Sequence, residues 1–115
     1  MAIHPQAQLD RTFHALGDAT RRKMLSLLAK RGECTASELG KPFPIAQPTA
    51  SKHIRVLEDA GLVSRLVEGK VHRFKLVMKP LKEAQDWIAR HQKFWENSLD
   101  ALGDLLDQMD EEEKL

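Results

Sequence analysis

Apolar residues recur along this chain at two different periods, and the change from one to the other marks its organisation. Leu9, Phe13 and Leu16 fall at i, i+4, i+7, which predicts a short first helix over about 8–16, after a loose lead-in over residues 1–7. Gly17 ends it, and Asp18 is a good N-cap for a second helix from Ala19 to about Lys30. Met24, Leu27 and Leu28 form the core face of that helix, with Leu25 widening it; Arg31 takes the next stripe position and Gly32 closes the helix. Arg21, Arg22 and Lys23 lie mostly on the other side, where solvated surface charge is expected for at least two of the three. Thr35-Ala36-Ser37-Glu38 has the capping-box pattern and starts a short third helix, which Pro42 and Pro44 end. Residues 41–46 then turn into a fourth helix with Pro48 in its first turn, Ala50, Ile54 and Leu57 as its apolar stripe, and Gly61 at its end.

Beyond Gly61 the period becomes 2. Val63–Val67 and Val71–Leu76 read as strands joined by a Glu68-Gly69-Lys70 turn, with Leu66, Phe74 and Leu76 expected on one face. A bare hairpin is marginal alone and must pack on the helices. Pro80 opens a last helix to about residue 110, with Leu81, Ala84, Ile88, His91, Trp95, Ser98, Leu102, Leu105 and Met109 in a 3-4 repeat. Trp87, Phe94, Leu99 and Leu106 widen that stripe. This is more apolar surface than a helix of roughly 45 Å, at about 1.5 Å per residue, could hide on one small domain. A homodimer interface is therefore expected from the first and last helices, through Leu9, Phe13, Leu81, Ile88, His91, Trp95, Leu99, Leu102 and Leu106. The fold class that follows is mainly α, an α+β winged helix forming a single domain over 1–115. It comprises a helix-turn-helix over about 35–60, a two-stranded β wing over about 62–76, and flanking N- and C-terminal dimerisation helices, the latter over about 80–110.

Composition narrows the function. At 115 residues, 42% apolar and 30% charged, the chain has the size and balance of one folded domain. No apolar run could span a bilayer and Met1-Ala2-Ile3-His4-Pro5 is no signal peptide, so a cytoplasmic protein without membrane contact is expected. The net charge of +1 hides an asymmetry: residues 1–80 carry 14 Lys and Arg against 7 Asp and Glu, whereas residues 81–115 carry 4 against 10. A basic body can hold a polyanion even in a near-neutral protein. The fourth helix presents Gln47, Thr49, Ser51, Lys52, His53 and Arg55, with no carboxylate before Glu58. Those side chains can pair with base edges or phosphates of double-stranded DNA, and the positive end of the helix dipole favours a phosphate. Lys70 and Arg73 make the hairpin basic. An enzyme is not expected, because no Gly-rich phosphate loop, nucleophile–base constellation or paired carboxylates in an apolar setting can be found. A protein-interaction module that kept the fold without binding DNA is an alternative, disfavoured by the basic recognition surface.

The chain also resembles the ArsR/SmtB family of bacterial winged-helix repressors. The resemblance covers residues 10 to 77 and is carried by Leu16-Gly17-Asp18-Ala19-Thr20-Arg21-Arg22-Lys23-Met24-Leu25, Ser37-Glu38-Leu39, Gln47 to Val63, and Glu68-Gly69-Lys70. It implies a homodimer that binds an inverted-repeat operator, with the fourth helix in the major groove and the hairpin in the adjacent minor groove or on the backbone. Ala46 departs from the Ser frequent in the family, and losing that cap loosens the helix start by about 1 kcal/mol.

The resemblance raises the question of a metal inducer. An arsenic-type site needs clustered thiolates, but Thr35 and Ser37 hold the corresponding positions and Cys34 is the only cysteine. A zinc-type site needs several His from paired helices; the last helix offers Asp86, His91 and Glu96, with His4 and His14 as the remaining candidates across a dimer. A metal-independent repressor without cofactor is therefore expected, answering to its own concentration or to an unknown small-molecule or protein effector. A metal- or thiol-responsive repressor of the same fold is the alternative, with Cys34 either a buried bystander or a low-pKa redox switch.

Overall fold

The structure is a computed structural model that describes residues 5–114. The chain divides into two compact units, Met1–Ala84 and Gln85–Leu115.

In the first unit, α1 (Pro5–Leu16) and α2 (Ala19–Arg31) precede a short strand β1 (Glu33–Thr35), then α3 (Ala36–Gly40) and α4 (Gln47–Asp59). A hairpin of β2 (Val63–Glu68) and β3 (Val71–Leu76) leads into α5 (Met78–Lys114), whose first residues still belong to this unit. The first helix is longer than its apolar spacing suggests: Pro5, which suits a first turn, is already helical, and only residues 1–4 of the expected lead-in lie outside the described residues. The face it buries also differs. Thr12 and Ala15 are buried, while Leu9, Phe13 and Leu16 are half-buried. Thr12 can go inside because its Oγ1 donates to the Gln8 carbonyl at 3.0 Å and accepts from Gln8 Nε2 at 3.3 Å.

Asp18 caps α2 as expected, accepting from the Arg21 amide at 3.0 Å. Arg22 and Lys23 are exposed, as expected of a charged helix face, whereas Arg21 is half-buried; both arginines also reach back to the end of α1. Arg21 donates from Nε to the Ala15 carbonyl (2.8 Å) and from its second terminal nitrogen to the His14 carbonyl (3.1 Å); Arg22 donates to the Leu16 carbonyl (2.7 Å). The two guanidinium groups thus satisfy the orphan carbonyls at the end of α1, where a tight Gly17-Asp18 turn leaves no room for a further helical turn. At α3 both halves of the capping box form between Thr35 and Glu38. Gly40 lets α3 approach α4: a Cβ there would sit 3.1 Å from the Ala50 Cβ.

The sheet has three strands, in the order β1-β3-β2, all antiparallel. The expected two-stranded wing is present, and the strand β1 extends its sheet by setting Glu33, Cys34 and Thr35 opposite Lys75, Phe74 and Arg73. Glu68 pairs with Val71, which shortens the turn to Gly69-Lys70, with Gly69 supplying the positive φ of 60°. Register also corrects one face assignment. Arg65 stands opposite Phe74 and Val63 opposite Leu76, whereas Leu66 pairs with Arg73 on the other face and is 54% exposed. The core closes on Met24, Leu28, Leu39, Leu57, Leu62 and Phe74, with Ala50 and Ile54 of α4 packed into it.

In the second unit α5 continues as helix to Lys114, past the end expected near residue 110, so the Asp110–Glu113 run is helical as well. At about 1.5 Å per residue the helical stretch from Gln85 onward is about 45 Å long. Trp87 stacks on His91 with centroids 4.3 Å apart and meets Trp95 edge-on at 5.8 Å. Ile88, Phe94, Leu99, Leu102, Leu106 and Met109 are exposed.

Candidate nucleic-acid interface

Ala50, Ile54 and Leu57 anchor α4 in the core, and that fixes which residues it turns outward. Gln47, Thr49, Ser51, Lys52 and Arg55 are all exposed. The helix starts without a side-chain cap, because Ala46 has no oxygen to offer, and Pro48 has no N–H. The amides of Gln47 and Thr49 are therefore left to solvent or to an incoming acceptor.

Two arginine networks hold this helix, one at its middle and one at its C-terminal end. Arg21 reaches from α2 to His53, its terminal nitrogen 3.1 Å from Nδ1, and Asp18 Oδ2 lies 3.8 Å from the same nitrogen. His53 is accordingly turned towards α2, and its side chain keeps 18% exposure. The amide of Arg21 is the main cause holding the Asp18 carboxyl below the usual carboxylate range, and the Arg21 guanidinium acts in the same direction. At the C-terminal end, Arg65 of β2 forms a two-pronged ion pair with Glu58, one contact of 3.0 Å from Nε, and its other terminal nitrogen lies 3.0 Å from His72 Nδ1. The same guanidinium lies over the Phe74 ring, 5.0 Å from its centroid. Glu58, the first carboxylate of α4, is thereby committed to the hairpin and withdrawn from the outward face.

On the hairpin, Lys70 is exposed in the turn. Arg73 is half-buried in the middle strand between Thr35 and Leu66. The structure thus brings five of the six helix residues expected from sequence to one accessible face, sets His53 at its flank, and places Lys70 at the hairpin tip. Two residues that sequence reasoning passed over join them. Ser37 and Lys41 line a cleft of about 380 Å³ between α3 and α4, together with Gln47 and Ser51, over a floor that includes Phe43 and Ile54. Lys41 immediately follows the helix that packs on Ala50, which is the signal that could have placed it there.

The residues expected in a dimer interface fall in both units. Leu9 and Phe13 are half-buried and Leu81 packs against the core. Ile88, Trp95, Leu99, Leu102 and Leu106 are exposed, and His91 is half-buried. Cys34 is fully buried, and burial, reinforced by Glu38, pushes its thiol up, opposite to the shift a low-pKa redox switch needs. The Thr35 hydroxyl is engaged with Glu38. His91 donates from Nδ1 to the Trp87 carbonyl at 2.8 Å, and Glu96 accepts from Gln92 at 3.0 Å. Among the described residues no three His, Cys, Asp or Glu side chains converge as a metal site would require; His4 lies outside them.

Comparison with known proteins bears on this face. Residues 16–65 match a family model described as a helix-turn-helix domain. The chain is 32% identical over 80 residues to the transcriptional repressor SdpR of Bacillus subtilis, covering 70% of this chain and 88% of that protein. It is 32% identical over 98 residues to the HTH-type transcriptional regulator Rv2034 of Mycobacterium tuberculosis, covering 85% and 88%. A crystal structure of an ArsR family transcriptional regulator superposes with a TM-score of 0.73 at 42% identity, over 84% of this chain and 97% of that one.

Proposed function

The chain belongs to the ArsR family of DNA-binding transcriptional regulators, and on that premise we propose that it is a homodimeric, metal-independent repressor acting on an inverted-repeat operator. The observation that carries the DNA role is the outward face of α4: Gln47, Thr49, Ser51, Lys52 and Arg55 exposed together, with Glu58 drawn off by Arg65. Placed in a major groove, Gln47 and Arg55 can pair with base edges, while Thr49, Ser51 and Lys52 hold phosphates. His53 stands at the flank of this surface. Lys70 and Arg73 reach the neighbouring minor groove or backbone from the wing. The family is not enzymatic, so the output is occupancy of DNA in the cytoplasm.

Dimerisation is supported by the exposed stripe of α5, from Ile88 to Met109, with Leu9 and Phe13 of α1 as a second apolar strip for a partner copy to cover. Metal independence is supported by the donor chemistry, with one buried cysteine of raised pKa and one histidine on α5. The test is fluorescence anisotropy with a duplex from the region upstream of the chain's own coding sequence, with zinc or with a chelator. Tight, selective binding unchanged by either is expected. Release by zinc would overturn metal independence, and the absence of selective binding would bring forward a protein-interaction role. Replacing Ser51 and Arg55 by Ala should abolish operator binding while the dimer persists.

A further inference from the structure

The contact between Arg21 and His53 fixes more than the position of a side chain. A guanidinium carries donors only, so the 3.1 Å contact requires Nδ1 of His53 to be an acceptor. The imidazole is then neutral and its proton sits on Nε2, across the ring. Arg21 is held for this purpose from two further directions, by the carbonyls of Ala15 and His14, and its own amide is tied to Asp18. Among the described residues His53 Nε2 has no partner, yet no buried side-chain nitrogen or oxygen there is left unpaired. That nitrogen therefore meets solvent. It lies on the flank of α4 that also bears exposed Thr49, one turn earlier, and exposed Lys52. The charged groups facing the ring are Arg21 and Asp18, both from the α2 side and both grouped around Nδ1.

We infer that Arg21 is a positioning residue that locks His53 in the Nε2–H tautomer, and that this N–H donates to a backbone phosphate of the bound DNA beside Thr49 and Lys52. The donor is uncharged, so it fixes the register of the helix on the duplex without releasing counterions as a lysine does. It also connects the recognition helix, through one guanidinium, to the C-terminal end of α1. This inference rests on the reading of α4 as the DNA-binding helix, but its tautomer half is measured without DNA.

The first experiment is a long-range ¹⁵N–¹H spectrum of the imidazoles in the intact free protein near neutral pH, with His53 assigned by its loss in His53→Asn. A protonated Nε2 and an unprotonated Nδ1 are expected; a protonated Nδ1 would overturn the lock. Arg21→Lys, which keeps the charge and loses the fork, is expected to mix the two tautomers. The second experiment is anisotropy against the upstream duplex at several salt concentrations. The Asn carboxamide can take the place of Nδ1 but does not reach that of Nε2, whereas Gln carries an N–H to it. His53→Asn is expected to weaken binding by about tenfold with an unchanged salt slope, and His53→Gln to stay near the parent protein. Lys52→Ala, by contrast, should reduce the slope by about 0.9. Asn binding as tightly as the parent would overturn the phosphate contact, and a reduced slope for Asn would show a charged imidazolium in its place. If the parent protein binds no DNA, the reading of α4 itself fails, and the spectrum alone decides the lock.

Discussion

The body of the protein and the later part of α5 use the same apolar side chains to opposite ends. In the body, Met24, Leu28, Leu57 and Phe74 come from three different elements and bury one another almost completely. In Gln85–Leu115 a single helix carries Phe94 and Leu99, each 67% exposed, and continues in the same manner to Met109. Hydrophobicity is not what separates them; the number of layers is. Helices and a sheet can close around one another, but one helix has no second layer to close against, so its stripe is a surface awaiting a partner. Truncating an apolar side chain should therefore cost folding in one region and association in the other.

The sharpest way to break that contrast is Leu57→Ala. It removes a buried side chain from the face by which α4 is seated, and about 3 kcal/mol of stability should be lost in urea denaturation. A loss under about 1 kcal/mol would mean that the body tolerates truncation as an exposed stripe does. Leu99→Glu combined with Leu102→Glu tests the other side. Sedimentation should report monomer in place of dimer, and operator affinity should fall by roughly tenfold or more, since each half-site is then held alone. A variant that stays dimeric would place the interface elsewhere. Ala46→Ser supplies the missing cap and should raise stability by about 1 kcal/mol, read as a shifted urea midpoint. The new hydroxyl competes for the amides left open at the start of α4, so the gain in folding should come with no gain in DNA affinity.

The smallest effect concerns Asp18. Its carboxyl is lowered in the folded protein, so the folded state binds that proton less readily than the unfolded chain. The resulting stabilisation is complete above the ordinary carboxylate range and disappears as pH falls through the lowered value. Asn also caps helices but does not titrate there, so the difference in stability between the parent and Asp18→Asn should shrink to nothing on acidification. A gap that persists in acid would assign the effect to the geometry of the cap instead of its charge.

Much of this arrangement is legible in the chain, and the exceptions share a cause. The fourth helix could be read because Pro48, the Ala50–Ile54–Leu57 spacing and Gly61 are local signals that agree with one another. The capping box at Thr35 is equally local. By contrast, β1 has only three residues, and what makes it a strand is Phe74 opposite Cys34, some forty positions away. The face of Leu66 depends on register, which a sequence leaves open until the turn length is known. Arg21 and Arg22 look like any charged helix face, because nothing in their spacing reveals that three carbonyls at the end of α1 need donors. Within the interface, exposure of Gln47, Thr49, Ser51, Lys52 and Arg55 followed from the stripe behind them. The inward turn of His53 did not, since it depends on a neighbour thirty-two positions earlier.

The pairing of Arg65 with Glu58 bears on how such a protein could be re-targeted. A designer would be tempted to treat α4 as a cassette and exchange it for the reading helix of another regulator. The two reading elements are not separate modules here, because the arginine that clasps the helix belongs to the hairpin and is braced by His72 and Phe74. A transplanted helix without an acid at position 58 would leave that arginine unengaged and the hairpin free to settle at a new angle. Exchanging specificity therefore means moving residues 47–74 as one piece, and a lineage changing its target would change helix and wing in concert.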